Sequence, residues 1–137
     1  MTTDVDAVIA ANEELYAAFE LADIDRMDAV WDSDDDVQCV HPGWPPLVGR
    51  TRVLRSWSVL MANTSYIQFF LTDVATAVHG DVAIVTCQEN ILTGIEDPAA
   101  GLGGGQRVAT TNVFRRRDGG WRLWLHHASP VVEASAE

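Results

Sequence analysis

Residues 66–93 read YIQFFLTDVATAVHGDVAIVTCQENILT. Ile, Val, Thr, Phe and Tyr crowd this run, and His79-Gly80-Asp81 breaks it once with the polar, glycine-centred signature of a tight turn. Two long antiparallel strands are therefore predicted, Tyr66 to Val78 and Val82 to Thr93. A strand of that length must bend to wrap a core, so a bulge is expected near the centre of Ile67 to Val78. Two further strands follow, Arg107 to Arg116 and Trp121 to Ser129, joined across Asp118-Gly119-Gly120. Between the hairpins, Gly94 to Gly105 is rich in glycine and reads as a mobile loop.

Upstream of the strands the period changes. Val8, Ala11, Leu15, Phe19 and Ala22 recur at three- and four-residue steps behind Thr3 and Asp6, which predicts a capped helix ending near Ala22. Asp23 caps a short second helix whose buried face is Ile24, Met27, Val30 and Trp31. The acidic run from Asp32 to Asp36 stops it and reads as a charged, solvated turn. A short strand from Val37 to His41 leads into the irregular loop Pro42-Gly43-Trp44-Pro45-Pro46. Gly49 opens a third helix with Val53, Leu54, Trp57, Leu60 and Met61 inward and Arg50, Arg52 and Arg55 toward water or a partner. Helices first and hairpin-linked strands after them predict an α+β domain, with helices covering one face of a curved, mainly antiparallel sheet around a central pocket.

With 137 residues, 1–137 form one domain, and a 47% apolar share suffices for one core. Nine basic against 20 acidic residues leave a net charge of −11, which argues against nucleic acid and against an anionic membrane. Residues 1–36 carry 12 acidic side chains and one Arg, so the excess lies on the helical segment. Two cysteines, Cys39 and Cys87, are too few for a disulfide scaffold and lack the paired spacing of a zinc site. A reduced, cytoplasmic setting is expected. No leader pattern or membrane-length apolar run is found.

Tyr16, Phe19, Asp23 and Trp31, the segment Cys39-Val40-His41-Pro42-Gly43 with Gly49, and the ending Arg115-Arg116-Arg117-Asp118-Gly119-Gly120-Trp121 through His127 and Ser129 carry a resemblance. The chain resembles the nuclear transport factor 2-like superfamily, and within it the SnoaL-like group, along almost its whole length. Its ending is also similar to the association domain of calcium/calmodulin-dependent kinase II. The resemblance implies a cone-shaped fold with an open pocket and a homodimer built through the sheet. It implies a small-molecule-binding domain acting by proton transfer (isomerase, dehydratase or cyclase type) on a largely apolar molecule, or else a non-catalytic ligand-binding or association domain.

Position by position, His41-Pro42 followed by Gly49 matches the Asp-Pro pair of ketosteroid isomerase, whose Asp is the general base, so His41 is the implied base. Asn112, nine residues before Trp121, falls where the isomerase has its protonated Asp, and is the implied stabiliser of developing negative charge. Gln88 falls, by a looser match, on a pocket Arg of the kinase domain. The isomerase tyrosine aligns with Leu15, one residue from Tyr16 and on a different side of the helix, so one donor is expected to be missing and steroid isomerisation is not expected.

An imidazole of ordinary pKa about 6.5 suits proton abstraction near neutral pH; the competing role for His41 is a structural one in its loop. His126 and His127 are neighbours on a strand and must point to opposite faces. The family ending and shared parity with Trp121, Leu123, Leu125 and Ser129 assign His127 to the pocket. A metal site would need His41, His127 and a third ligand such as Glu89 to converge, and no ligand motif supports one. No phosphate loop is present, so no cofactor is expected. Trp44 at the cavity mouth and Trp57 on the third helix complete the expected pocket wall.

Overall fold

The computed structural model describes residues 3–93 and 105–132. The expected glycine-rich loop lies outside the described residues, except for Gly105, which begins a strand.

Helix α1 spans Asp4–Glu20, and Thr3 Oγ1 accepts the Asp6 backbone N–H at 3.0 Å, as the cap pattern predicts. Burial extends beyond the expected stripe: Val8, Asn12, Leu15, Tyr16, Ala18 and Phe19 are all inward, whereas Ala22 lies past the helix end with φ 51°. Helix α2, Ile24–Val30, is capped by Asp23, whose Oδ1 accepts the Arg26 N–H. Met27, Val30 and Trp31 are buried, but Ile24 is not. Strand β1, Gln38–Val40, pairs with the two-residue strand β2, Leu47–Val48, which the proline-rich sequence did not suggest. Gly49 precedes α3, Arg50–Ala62, at φ 102°, a conformation open to glycine and strained for other residues.

The long strands are β3 (Ile67–His79), β4 (Val82–Thr93), β5 (Gly105–Arg117) and β6 (Gly120–Pro130). The sheet runs β2-β1-β6-β5-β4-β3, antiparallel except for β1 beside β6. The bulge expected in β3 is present: register slips between Thr72 and Ala75, and Asp73 takes φ 54°. The strand can therefore curl around α1. Three helices on one face of a curved six-stranded sheet make an α+β cone, with Leu15, Trp31, Val53, Val85, Phe114 and Leu123 filling its core.

The acidic run has a second job beside stopping α2. Asp32 is 1% exposed and takes hydrogen bonds from Arg115 Nε at 2.7 Å and Arg117 Nε at 2.9 Å, while Arg115 also pairs with Asp36 and Arg117 with Asp34. Arg50, expected to face water or a partner, donates instead to the carbonyls of Trp31 and Asp32 and to Asp28. The excess acid of the N-terminal third is thus partly spent on clamping α2 to the β5–β6 hairpin.

Candidate functional site

A cavity of about 240 Å³ lies between the helices and the inner face of the sheet. Helix α1 gives it Leu15, Tyr16 and Phe19; the loop after β1 gives His41, Pro42 and Trp44; α3 gives Trp57 and Leu60; the sheet gives Ile67, Phe69, Glu89, Ile91, Gln106 and His126, with Thr64 ahead of β3. Ring contacts join much of the wall. His41 lies 5.0 Å from Trp44 and 4.7 Å from Trp57, Trp57 meets Phe19 at 5.5 Å, and Phe69 meets Tyr16 at 4.9 Å, all centroid to centroid. Trp44, 37% exposed, and Trp57, buried, both line the cavity. Among the described lining residues there is no Arg or Lys.

His41 lines this cavity and is 2% exposed. Its Nε2 is 2.8 Å from Ser56 Oγ, and that hydroxyl already gives its one hydrogen to Val53 O at 2.6 Å. Ser56 must therefore accept from His41, which fixes the Nε2–H tautomer and leaves the lone pair on Nδ1. Only the Cys39 sulfur, 3.9 Å away, approaches Nδ1 among the described residues. Burial pushes the imidazole down to about 4, so the ring is neutral at pH 7.

The second pocket imidazole is His126, and this corrects the parity argument. His127 is exposed on the opposite face, and His126, 3% exposed, lies 6.1 Å from His41 and 5.3 Å from Trp57. The reason is a bulge in β6. Phe114 pairs with Leu123 and Val113 with Leu125, so Trp124 is an extra residue without a partner in β5. Trp121 and Leu123 point inward before it, His126 and Ala128 after it, and the alternation is inverted. His41, His127 and Glu89 accordingly do not converge.

Gln88 is likewise on the outer face. Strand β4 buries Ala83, Val85, Cys87, Glu89 and Ile91, and Gln88 turns away to donate its amide to Asn90 Oδ1 at 3.0 Å. Asn112 is inward as expected but does not line the cavity: it is fully buried behind the wall. Its Nδ2 donates to Asn12 Oδ1 at 2.8 Å and to the Tyr16 hydroxyl at 3.1 Å, and its Oδ1 accepts His126 Nδ1–H at 2.6 Å. These bonds hold His126 as the Nδ1–H tautomer, with the lone pair on Nε2. Burial pushes His126 down to about 3.

Tyr16 and Glu89 complete the polar site. Both Leu15 and Tyr16 reach the cavity, so the hydroxyl thought missing is supplied from the next position of α1. Tyr16 OH donates to Glu89 Oε2 at 2.7 Å, and Thr110 Oγ1 donates to the same oxygen at 2.8 Å. Burial raises the Glu89 carboxyl above the usual range, opposed by these two hydrogen bonds, and burial with the Glu89 charge raises Tyr16 well above 10. Burial also pushes up both thiols, Cys87 to about 11, so both are protonated at pH 7. The inward parity of Glu89 with Val85 and Cys87 was the available sign: a carboxyl on the buried side of a strand.

With this geometry in place, the model of the SnoaL-like domain family matches residues 8–133. The chain belongs to that family. A structure from Streptomyces avermitilis, described as a candidate dehydratase of the NTF2-like family, is 51% identical, with TM-score 0.86 over 95% of this chain and 97% of that one. A candidate association domain of calcium/calmodulin-dependent protein kinase type II from Thiobacillus denitrificans is 35% identical, with TM-score 0.79 over 90% and 94% of the two chains. The Arabidopsis thaliana F-box protein SKIP8 is 26% identical over 126 residues, 92% of this chain. This SnoaL-like chain spans about half (50%) of the length of that curated relative. No described helix of the SnoaL-like chain is long and apolar enough to cross a membrane.

Proposed function

We propose that this SnoaL-like domain binds a small, largely apolar organic molecule in the cavity and transfers a proton on it, with His41 as the base and His126 beside it. The observation that carries the reading is the pair of buried imidazoles, each with one nitrogen pinned by the protein and the other left as a lone pair. Neutral imidazoles are in the proton-accepting state at pH 7 without any activating charge. The likeness to a candidate dehydratase supports the same class of chemistry. Asn112 acts from behind, holding His126 and Tyr16.

The test uses deuterium uptake by β-tetralone, a neutral bicyclic ketone with acidic C–H bonds, followed by NMR in deuterium oxide. The wild-type chain is expected to accelerate exchange, and His41→Ala to lose at least about 100-fold of that acceleration. Absence of acceleration by the wild type removes the proton-transfer reading and leaves a non-catalytic binding or association domain. That second reading has its own support in the 35% identity to an association domain.

Self-association through the outer face of the sheet belongs to the same proposal. Phe70 and Ile84 are 51% and 45% exposed there, on β3, whose other face packs Phe69 and Leu71 partly buried against the core, and on β4, whose other face buries Ala83 and Val85. We assign the chain to the cytosol on its two buried, unpaired cysteines.

A further inference from the structure

We propose that Glu89 is the general acid of this site and that its substrate is an uncharged molecule carrying a hydroxyl group β to a carbonyl, which leaves as water. The inference rests on the proton-transfer reading above and names the reaction within it.

The two hydrogen bonds that Glu89 receives both fall on Oε2, from Tyr16 on α1 and Thr110 on β5. Among the described residues none donates to Oε1. Tyr16 and Thr110 donate to the carboxyl, Cys87 lies two residues away on its own strand, Gln106 and the imidazoles of His41 and His126 share the cavity, and the described lining holds no cation. Glu89 is 4% exposed, and an ionised carboxylate would leave Oε1 without a hydrogen bond from any described residue, at the cost of a poorly satisfied buried charge. A proton on Oε1 removes that cost. Oε2 is then the carbonyl oxygen, which accepts both hydroxyls, and Oε1–H is a donor at the cavity wall.

Acid and base are then ready in complementary states in one cavity. The imidazole lone pair takes a proton from the carbon next to the substrate carbonyl. The released electron pair becomes the new carbon–carbon double bond, the carbon–oxygen bond at the β position breaks, and the departing oxygen takes the Oε1 proton and leaves as water. Nothing is oxidised or reduced. The proton on the imidazole returns to Glu89 through the water formed. As Glu89 gives up its proton, the hydrogen bonds from Tyr16 and Thr110 strengthen against the developing carboxylate, so they favour the transition state over the ground state. An anionic substrate would be desolvated with no cation to receive it, which is why an uncharged one is assigned.

The probe is the racemic aldol adduct of benzaldehyde and acetone, whose loss of water gives benzylideneacetone, followed by near-ultraviolet absorption. The wild type is expected to form it, and Glu89→Gln, of nearly equal volume, to be slower by at least about 100-fold. Elimination by Glu89→Gln at the wild-type rate overturns the proposal. So does a wild type that exchanges β-tetralone protons yet forms no benzylideneacetone, an outcome that leaves the base intact; if neither reaction proceeds, both readings fall. Because Glu89→Gln can fail to fold, infrared difference spectra of wild-type protein labelled with carbon-13 glutamate give an independent reading. A protonated-carboxyl stretch at pH 7 is expected, and a fully ionised glutamate population overturns the proposal.

Discussion

The Asn112 amide joins His126 to Tyr16: its oxygen takes the His126 Nδ1 hydrogen at 2.6 Å, and its nitrogen gives one to the Tyr16 hydroxyl at 3.1 Å. One buried side chain therefore sets both the tautomer of an imidazole and the direction of a phenol that in turn bonds Glu89. Asn112→Ala leaves these groups short of partners and is expected to cost about 1–3 kcal/mol per unsatisfied group in urea unfolding. Asn112→Asp places a carboxylate beside His126 Nδ1, so the His126 titration followed by NMR should move up from about 3. An unmoved titration would show that the amide does not set the state of the ring.

The two pocket imidazoles tie stability to pH. Burial holds His41 at about 4 and His126 at about 3, both below the unfolded value near 6.5. Between these values the unfolded chain binds protons that the folded chain refuses, so stability is present above about pH 6.5 and falls as pH drops toward 4. Urea midpoints measured from pH 7 to pH 4.5 should fall in the wild type and flatten in a His41→Asn, His126→Asn double variant. Parallel curves would refute the assignment.

Asp32 predicts a loss at lower pH. Hydrogen bonds from Arg117 and Arg115 hold its carboxyl far below the ordinary carboxylate value. The stabilisation is present above pH 4 and is lost as pH falls through the acid range. Removing one side of a buried pair is the costly direction, so Asp32→Ala should lose about 3 kcal/mol in urea unfolding at pH 7. Arg117 is 41% exposed and screened by water, and Arg117→Ala should cost no more than about 1 kcal/mol.

The bulge at Trp124 separates the adjacent histidines. His127→Ala, on the outer face, should leave β-tetralone exchange within about twofold of wild type, whereas His126→Ala should lower it by an order of magnitude or more. Equal losses would mean that the inversion of alternation in β6 does not govern the site.

Ile84→Arg tests the outer face of the sheet. If copies pair there, light scattering should show the wild-type mass roughly halved in the variant, which still folds because Ile84 is 45% exposed and contributes little to the core. A monomeric wild type would refute the pairing.

Much of this architecture is legible in the residues. The period of α1, the Thr3 and Asp23 caps, the turns at Gly80 and Gly119 and the bend in β3 are local effects, written in side chains within a few positions of one another. The placement of His41, Trp44 and Trp57 on the cavity wall follows from the same local order and the family resemblance. The rest is non-local. Strand alternation holds only until a bulge intervenes, and the unpaired Trp124 is defined by β5, so His126 replaces His127 only once the register exists. Asn112 reads as inward from its strand, but Asn12, Tyr16 and His126 reach it from 100, 96 and 14 residues away and convert it from a wall group into a support behind the wall. The same holds for Glu89, whose Tyr16 donor lies 73 residues away in the chain. Local propensity is a property of neighbours in sequence. Which nitrogen keeps a lone pair, and which oxygen is left without a donor, are decided by neighbours in space.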